Sequence, residues 1–125
     1  MLDRRANRRH LCAMIVYKIF RPAEWSALQD HGQTLGAPID IQDGFVHFST
    51  AAELRETAAK HFAHQSGLEL LACDGAAMGD ALRWEPSRGG ALFPHLYRAL
   101  SIKDVLWHQI LELGSDGHIF PEGLQ

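Results

Sequence analysis

The sequence predicts an α+β domain, with a mixed or antiparallel sheet and two main helices packed on it. Strand-like runs outnumber helical ones and do not alternate with them regularly, which argues against a parallel βαβ design. Only two stretches carry the start and stop signals of a substantial helix. With 125 residues, 46% apolar and 22% charged, the chain is long enough for one core and has no polar or proline-rich linker to divide it.

Residues 14–20 (MIVYKIF) are β-branched and aromatic with rough alternation, and read as the first strand. Pro22 suits a first helical turn, where its missing N–H is no loss. Trp25 and Leu28 then provide an apolar stripe until Gly32. From Gly32 to Gly44 the glycines, Pro38 and Asp43-Gly44 indicate mostly loop, with a short strand at 37–39. A second strand, 44–48, places Phe45 and His47 on one face and Val46 and Phe48 on the other. Ser49 or Thr50 caps a helix running to about His64, with Glu53 three residues after Thr50 as in a capping box.

Beyond Gly67, residues 68–73 (LELLAC) read as a strand, 74–80 as a short helical or turn segment, and 82–85 (LRWE) as another strand. In LFPHLYRAL (92–100), Pro94 implies an edge or a bulge. Residues 104–113 fit a helical stripe (Ile102, Val105, Leu106, Ile110, Leu113) and also a strand (Val105, Trp107, Leu111, Leu113). The Ser115-Asp116-Gly117 turn and the following HIF favour a hairpin, hence a strand.

Charge is uneven along the chain. Four of the twelve Lys and Arg residues (Arg4, Arg5, Arg8, Arg9) precede Met14, leaving eight basic and fourteen acidic side chains beyond that point. Residues 1–13 are accordingly expected to be a flexible basic extension of a domain spanning 14–125, with Met14 an alternative start. The acidic body argues against a nucleic-acid partner, which needs clustered basic charge. No run approaches the roughly 18 apolar residues of a membrane span. The distant Cys12 and Cys73 form no CxxC motif and fit inert thiols in a reducing cytoplasm, the expected location.

Reactive side chains concentrate in GFVHFST (44–50) and RWEPSRGGALFPHLYR (83–98). In the first, His47 and Ser49 share a strand face and lead into a helix start, where free N–H groups suit a phosphate or carboxylate. The competing reading makes His47 a hydrogen-bonded strand residue and Ser49 a cap. In the second, Arg88 precedes two glycines, an arrangement suited to gripping an anion, and Glu85 and His95 are acid–base candidates. Against this, Arg83 or Arg88 would pair with Glu85, and Trp84 and Tyr97 would be core. His61 and His64 would share a helix face, but only His47 and His95 are available as further ligands, so no metal is assigned. GxGxxG after a strand, GxxxxGK(S/T), HExxH and GxSxG are all absent, which removes support for the dinucleotide-fold, phosphate-loop, zincin and nucleophile-elbow classes.

The segments MIVYKIF, AEWSAL, DGFVHFSTAAEL, TAAKHF, LRWEPSRGGALFPHLYRAL and DGHIFP, in this order, resemble the bacterial family "domain of unknown function 952". The resemblance carries no established activity. It implies the fold of ADP-ribosyltransferases and RNA 2′-phosphotransferases, which act on NAD or ADP-ribosyl intermediates. HFS (47–49) resembles their second motif, while Lys18 stands where the first motif has Arg or His, and Glu85 is the nearest candidate for the acidic third. The implied ligand is NAD or another phosphate-bearing nucleotide. His47 and Ser49 would orient the ribose and nicotinamide end, with Lys18, Thr50 and Tyr97 among the binding residues. Arg88 or Arg83 would hold phosphate, and Glu85 or His95 would act in acid or base steps. The rival reading is a non-catalytic small-ligand module built from the same residues.

Overall fold

The computed structural model describes residues 14–124, without the side chain of Arg88. The basic extension and Cys12 therefore lie outside the described residues. Strands β1 (Ile15–Phe20), β4 (Leu68–Asp74), β8 (Val105–Gly114) and β9 (Gly117–Ile119) form one sheet in the order β1-β4-β8-β9. A second sheet, β3-β6-β5, is built from Val46–His47, Leu92–Leu96 and Leu82–Pro86. A two-residue ladder joins β2 (Gln33–Thr34) to β7 (Leu100–Ser101). Every ladder is antiparallel, and a bridge between Tyr17 and Ser49 ties the second sheet to the outer edge of β1.

Alternation along β1 explains the layering. Val16 and Phe20 point into a core shared with Leu28 of helix α1 (Pro22–His31) and with Val46, Leu82 and Leu96 of the second sheet. Tyr17 and Ile19 point the other way, into a core with Leu54, Ala58 and Phe62, the first two on helix α3 (Ala51–His61). The central β4 serves both cores, Leu71 and Cys73 on one side and Leu68, Leu70 and Ala72 on the other. A strand buried on both faces reads as a nearly continuous apolar run, as LELLAC does apart from the half-buried Glu69. Burial also raises the Cys73 thiol far above its ordinary value, so it is held as the unreactive thiol.

The region expected to be loop with a strand at 37–39 instead forms helix α2 (Pro38–Asp43). Pro38 takes the first turn, the Asp40 carboxylate accepts the Ala37 N–H at 2.7 Å, and Gly44 closes the helix at φ 87°. Helix α3 stops at His61 rather than His64, which sits beyond it at φ 66°; His61 and His64 therefore do not share a helix face. Thr50, not Ser49, is its N-cap, accepting the Glu53 N–H at 3.3 Å.

Residues 92–100 are not one strand: β6 ends at Leu96 and pairing resumes at Leu100. Pro94 lies in the central strand, not at an edge. It is tolerated because the N–H it lacks falls where β3 ends and only Phe48 N–H spans to the Pro94 carbonyl, at 3.0 Å. Segment 105–114 is the strand that its turn signals predict, and it closes a hairpin with β9. A short helix, α4 (Gly75–Met78), follows β4. No helix among the described residues is long and apolar enough to cross a membrane.

Candidate functional site

Antiparallel register builds the site. His47, His95 and Arg83 face each other across β3, β6 and β5, while Val46, Leu96 and Leu82 form the adjacent row that enters the core. Period-two alternation then brings Phe45, Tyr97 and Glu85 to the polar face. Phe45 stacks on His95 at 4.2 Å between centroids and 27° between planes, and packs tilted against His47 at 4.6 Å. The two imidazole centroids are 5.3 Å apart.

Each imidazole is anchored to a carboxylate. His95 Nδ1 lies 2.7 Å from Glu85 Oε1, and the Tyr97 hydroxyl donates to the same oxygen at 2.7 Å. These bonds, Tyr97 first and His95 second, hold Glu85 below the usual carboxylate range, and Glu85 in turn raises the Tyr97 phenol. His47 Nδ1 lies 2.6 Å from Asp40 Oδ1, and its Nε2 lies 3.0 Å from Asp43 Oδ2.

Asp40 is the node of the site. It is 1% exposed and also accepts the Ala37 and His47 backbone N–H groups, at 2.7 and 3.1 Å. The Lys18 ammonium, on a residue 7% exposed, lies 2.8 Å from Asp40 Oδ2 and donates to the His47 carbonyl at 2.7 Å. Burial alone would raise the Asp40 carboxyl. The His47 hydrogen bond and the Lys18 charge outweigh it and hold the group down at about 2, so the carboxylate is ionised. Burial lowers Lys18, with Asp40 opposing. The φ of +98° at Gly36, and the Asp40 carboxylate pressed where a Cβ would stand, reserve that position for glycine. Gly36→Ala is expected to cost about 1–3 kcal/mol in denaturant unfolding; an unchanged midpoint would show that the loop relaxes freely.

A cavity of about 780 Å³ runs along the β1 edge, between α3 on one side and α2 with β3 on the other. Lys18, Asp40, His47, Ser49 and His95 form its polar wall, and Phe48, Phe62 and Phe93 are among its apolar lining. Arg21 also lines it, its guanidinium 4.7 Å from the Phe62 ring centroid.

The model of the family described as "Protein of unknown function (DUF952)" matches residues 19–108. The chain belongs to that family. Its fold is close to that of protein CC0527 from Caulobacter crescentus. The crystal structure of that protein is 45% identical in sequence, with a TM-score of 0.80, covering 83% of this chain and 91% of that one. Its solution structure gives 45% identity and a TM-score of 0.75, covering 84% and 90%. No curated protein matches.

Within this DUF952 chain, the cavity brings together Lys18, His47, Ser49 and His95 of the residues singled out from sequence. Ser49 is buried, its hydroxyl 2.9 Å from that of Thr57. Glu85, bonded to both His95 and Tyr97, is outside the cavity lining, as is Tyr97. Arg83 stacks over Tyr97 at 4.8 Å and is also outside it, as is Thr50. Trp84 and Tyr97, weighed as core, are each 40% exposed. The side chain of Arg88 lies outside what is described. Among the described residues, no group of three or more His, Cys, Asp and Glu side chains could hold a metal ion. Sequence reasoning missed Asp40, Asp43 and Arg21, and passed over Phe45 as a site residue. Asp40 had one signal, an acidic side chain two residues after a helix-starting proline.

Proposed function

We propose that the cavity binds a small phosphate-bearing nucleotide, with NAD and ADP-ribose the first candidates, and that the chain acts on it as an ADP-ribosyltransferase-like or phosphotransferase-like enzyme. The observation that carries the reading is the pair of carboxylate-anchored imidazoles, 5.3 Å apart, on one wall of a cavity of ligand size. An imidazole held in this way is oriented for proton transfer. Arg21 is the cavity guanidinium nearest in chemistry to a phosphate fork, although its Nε donates to Gln65 at 3.2 Å and its Nη1 lies 3.5 Å from Glu24, while two of the three Lys18 ammonium hydrogens are directed to Asp40 and the His47 carbonyl. The apolar wall around Phe48 and Phe93 suits a flat ring of base or nicotinamide type.

A second reading, a non-catalytic binding module, is favoured by one feature. Both ring nitrogens of His47 have carboxylate partners, which leaves that ring poorly placed to exchange a proton. Calorimetric titration with NAD and with ADP-ribose, followed by an assay of nicotinamide release, separates the readings. Binding and release by the wild-type chain are expected, with release falling about 100-fold or more in His95→Ala. Binding without release moves the assignment to the binding module. If neither ligand binds, the nucleotide reading fails.

A further inference from the structure

The two histidines of the site are not equivalent. His47 is met by a carboxylate at each nitrogen, Asp40 at 2.6 Å and Asp43 at 3.0 Å. His95 is met by a carboxylate at Nδ1, where Glu85 Oε1 lies at 2.7 Å. An ionised carboxylate only accepts, so in the neutral ring the single proton belongs on Nδ1, and the lone pair is on Nε2. His95 is 5% exposed and lines the cavity, whereas Glu85, bonded at Nδ1, is not part of the lining. The ring is also mechanically fixed: Phe45 covers one face at 4.2 Å, and the backbone lies in the central strand between His47 and Arg83.

We infer that His95 is the proton acceptor of the cavity, acting at Nε2, and that Glu85, braced by the Tyr97 hydroxyl, is the positioning residue that sets its tautomer. The inference rests on the cavity reading above for its ligand, and it sharpens the ligand chemistry. The recognised group is a donor, a ribose-type hydroxyl or a water molecule. In the step, the O–H proton of that group passes to Nε2 and the electron pair stays on oxygen. Glu85 remains ionised throughout, and the proton on Nδ1 does not move. His47, engaged on both sides, holds its wall of the site in place and is not the base. Such an arrangement needs little reorganisation, because the base is oriented before the ligand arrives.

The test reads the tautomer directly. Long-range ¹H–¹⁵N correlation spectra of histidine-labelled protein, taken where His95 is neutral and assigned with His95→Gln, are expected to show the Nδ1–H form in the wild type. Glu85→Ala, at a partly exposed strand position, is expected to fold and to shift His95 toward the Nε2–H form that imidazole prefers in water. Glu85→Asp is expected to restore part of the Nδ1–H population. An Nε2–H ring in the wild type, or a tautomer indifferent to Glu85→Ala, overturns the assignment. Where nicotinamide release is measurable, Glu85→Ala is expected to lower kcat about tenfold or more with little change in KM. A KM effect alone overturns the positioning role. An Nδ1–H ring in a protein that binds neither NAD nor ADP-ribose upholds the tautomer and removes the nucleotide reading, so the two failures are distinguishable.

Discussion

Asp40→Ala is expected to lower the unfolding free energy by about 3–5 kcal/mol, the usual cost of removing one partner from a buried ion pair. The side chain gathers four donors: Lys18 Nζ, His47 Nδ1, and the backbone N–H groups of Ala37 and His47. Alanine leaves the ammonium, on a 7% exposed residue, donating to the His47 carbonyl without its counter-ion, and strips the first turn of α2 of its acceptor. The same carboxylate gives a pH signature. Its value is depressed in the folded state from 3.8 to about 2, so its contribution is complete above the unfolded value and is lost as pH falls toward 2. That contribution is worth about 2 kcal/mol at neutral pH. Urea unfolding between about pH 5 and pH 2 should therefore show the stability gap between wild type and Asp40→Ala narrowing by about 2 kcal/mol toward the acid end. Parallel curves would mean that the Asp40 carboxylate titrates alike in both states.

Much of this site was legible because strand periodicity needs no tertiary information. Phe45 and His47 on one face, Val46 and Phe48 on the other, follow from the two-residue repeat, and burial agrees: Val46 and Phe48 are core, and the other two rings face each other at 4.6 Å. The grouping of Glu85, His95 and Tyr97 was visible as composition, while their roles depend on β5 and β6 pairing, which offsets Glu85 from His95 by one diagonal step. Asp40 was not legible as a node. Glycines and a proline around it read as loop, and its main partner lies 22 positions earlier, on β1. Lys18 did leave a trace, alternating with Val16 and Phe20 on the inward face of an apolar strand. An inward lysine requires an acidic partner from elsewhere in the chain, and only the fold names it. The β2–β7 ladder, two residues on each side, is shorter than any pattern that periodicity can detect.

Lys18→Met should also be strongly destabilising, yet less so than Asp40→Ala, because the two residues are unequal in what they leave behind. Without Lys18, the carboxylate keeps His47 Nδ1 and two backbone N–H groups, so its charge remains solvated by donors. Without Asp40, the ammonium has lost its counter-ion. A loss of about 3 kcal/mol is expected for Lys18→Met, at the lower end of the range for a broken buried pair. The double variant Lys18→Met/Asp40→Ala should then be more stable than the single losses predict in sum, by about 2 kcal/mol, because removing both charges abolishes the desolvated ammonium that makes Asp40→Ala costly. Equilibrium urea unfolding of the four proteins closes this cycle. Strict additivity would show that Lys18 and Asp40 are not coupled, and that the acidic node is held by His47 and the α2 backbone alone. A coupling of the expected size makes the pair one structural unit, fastening α2 to β1 and thereby fixing the wall on which His47 stands beside His95.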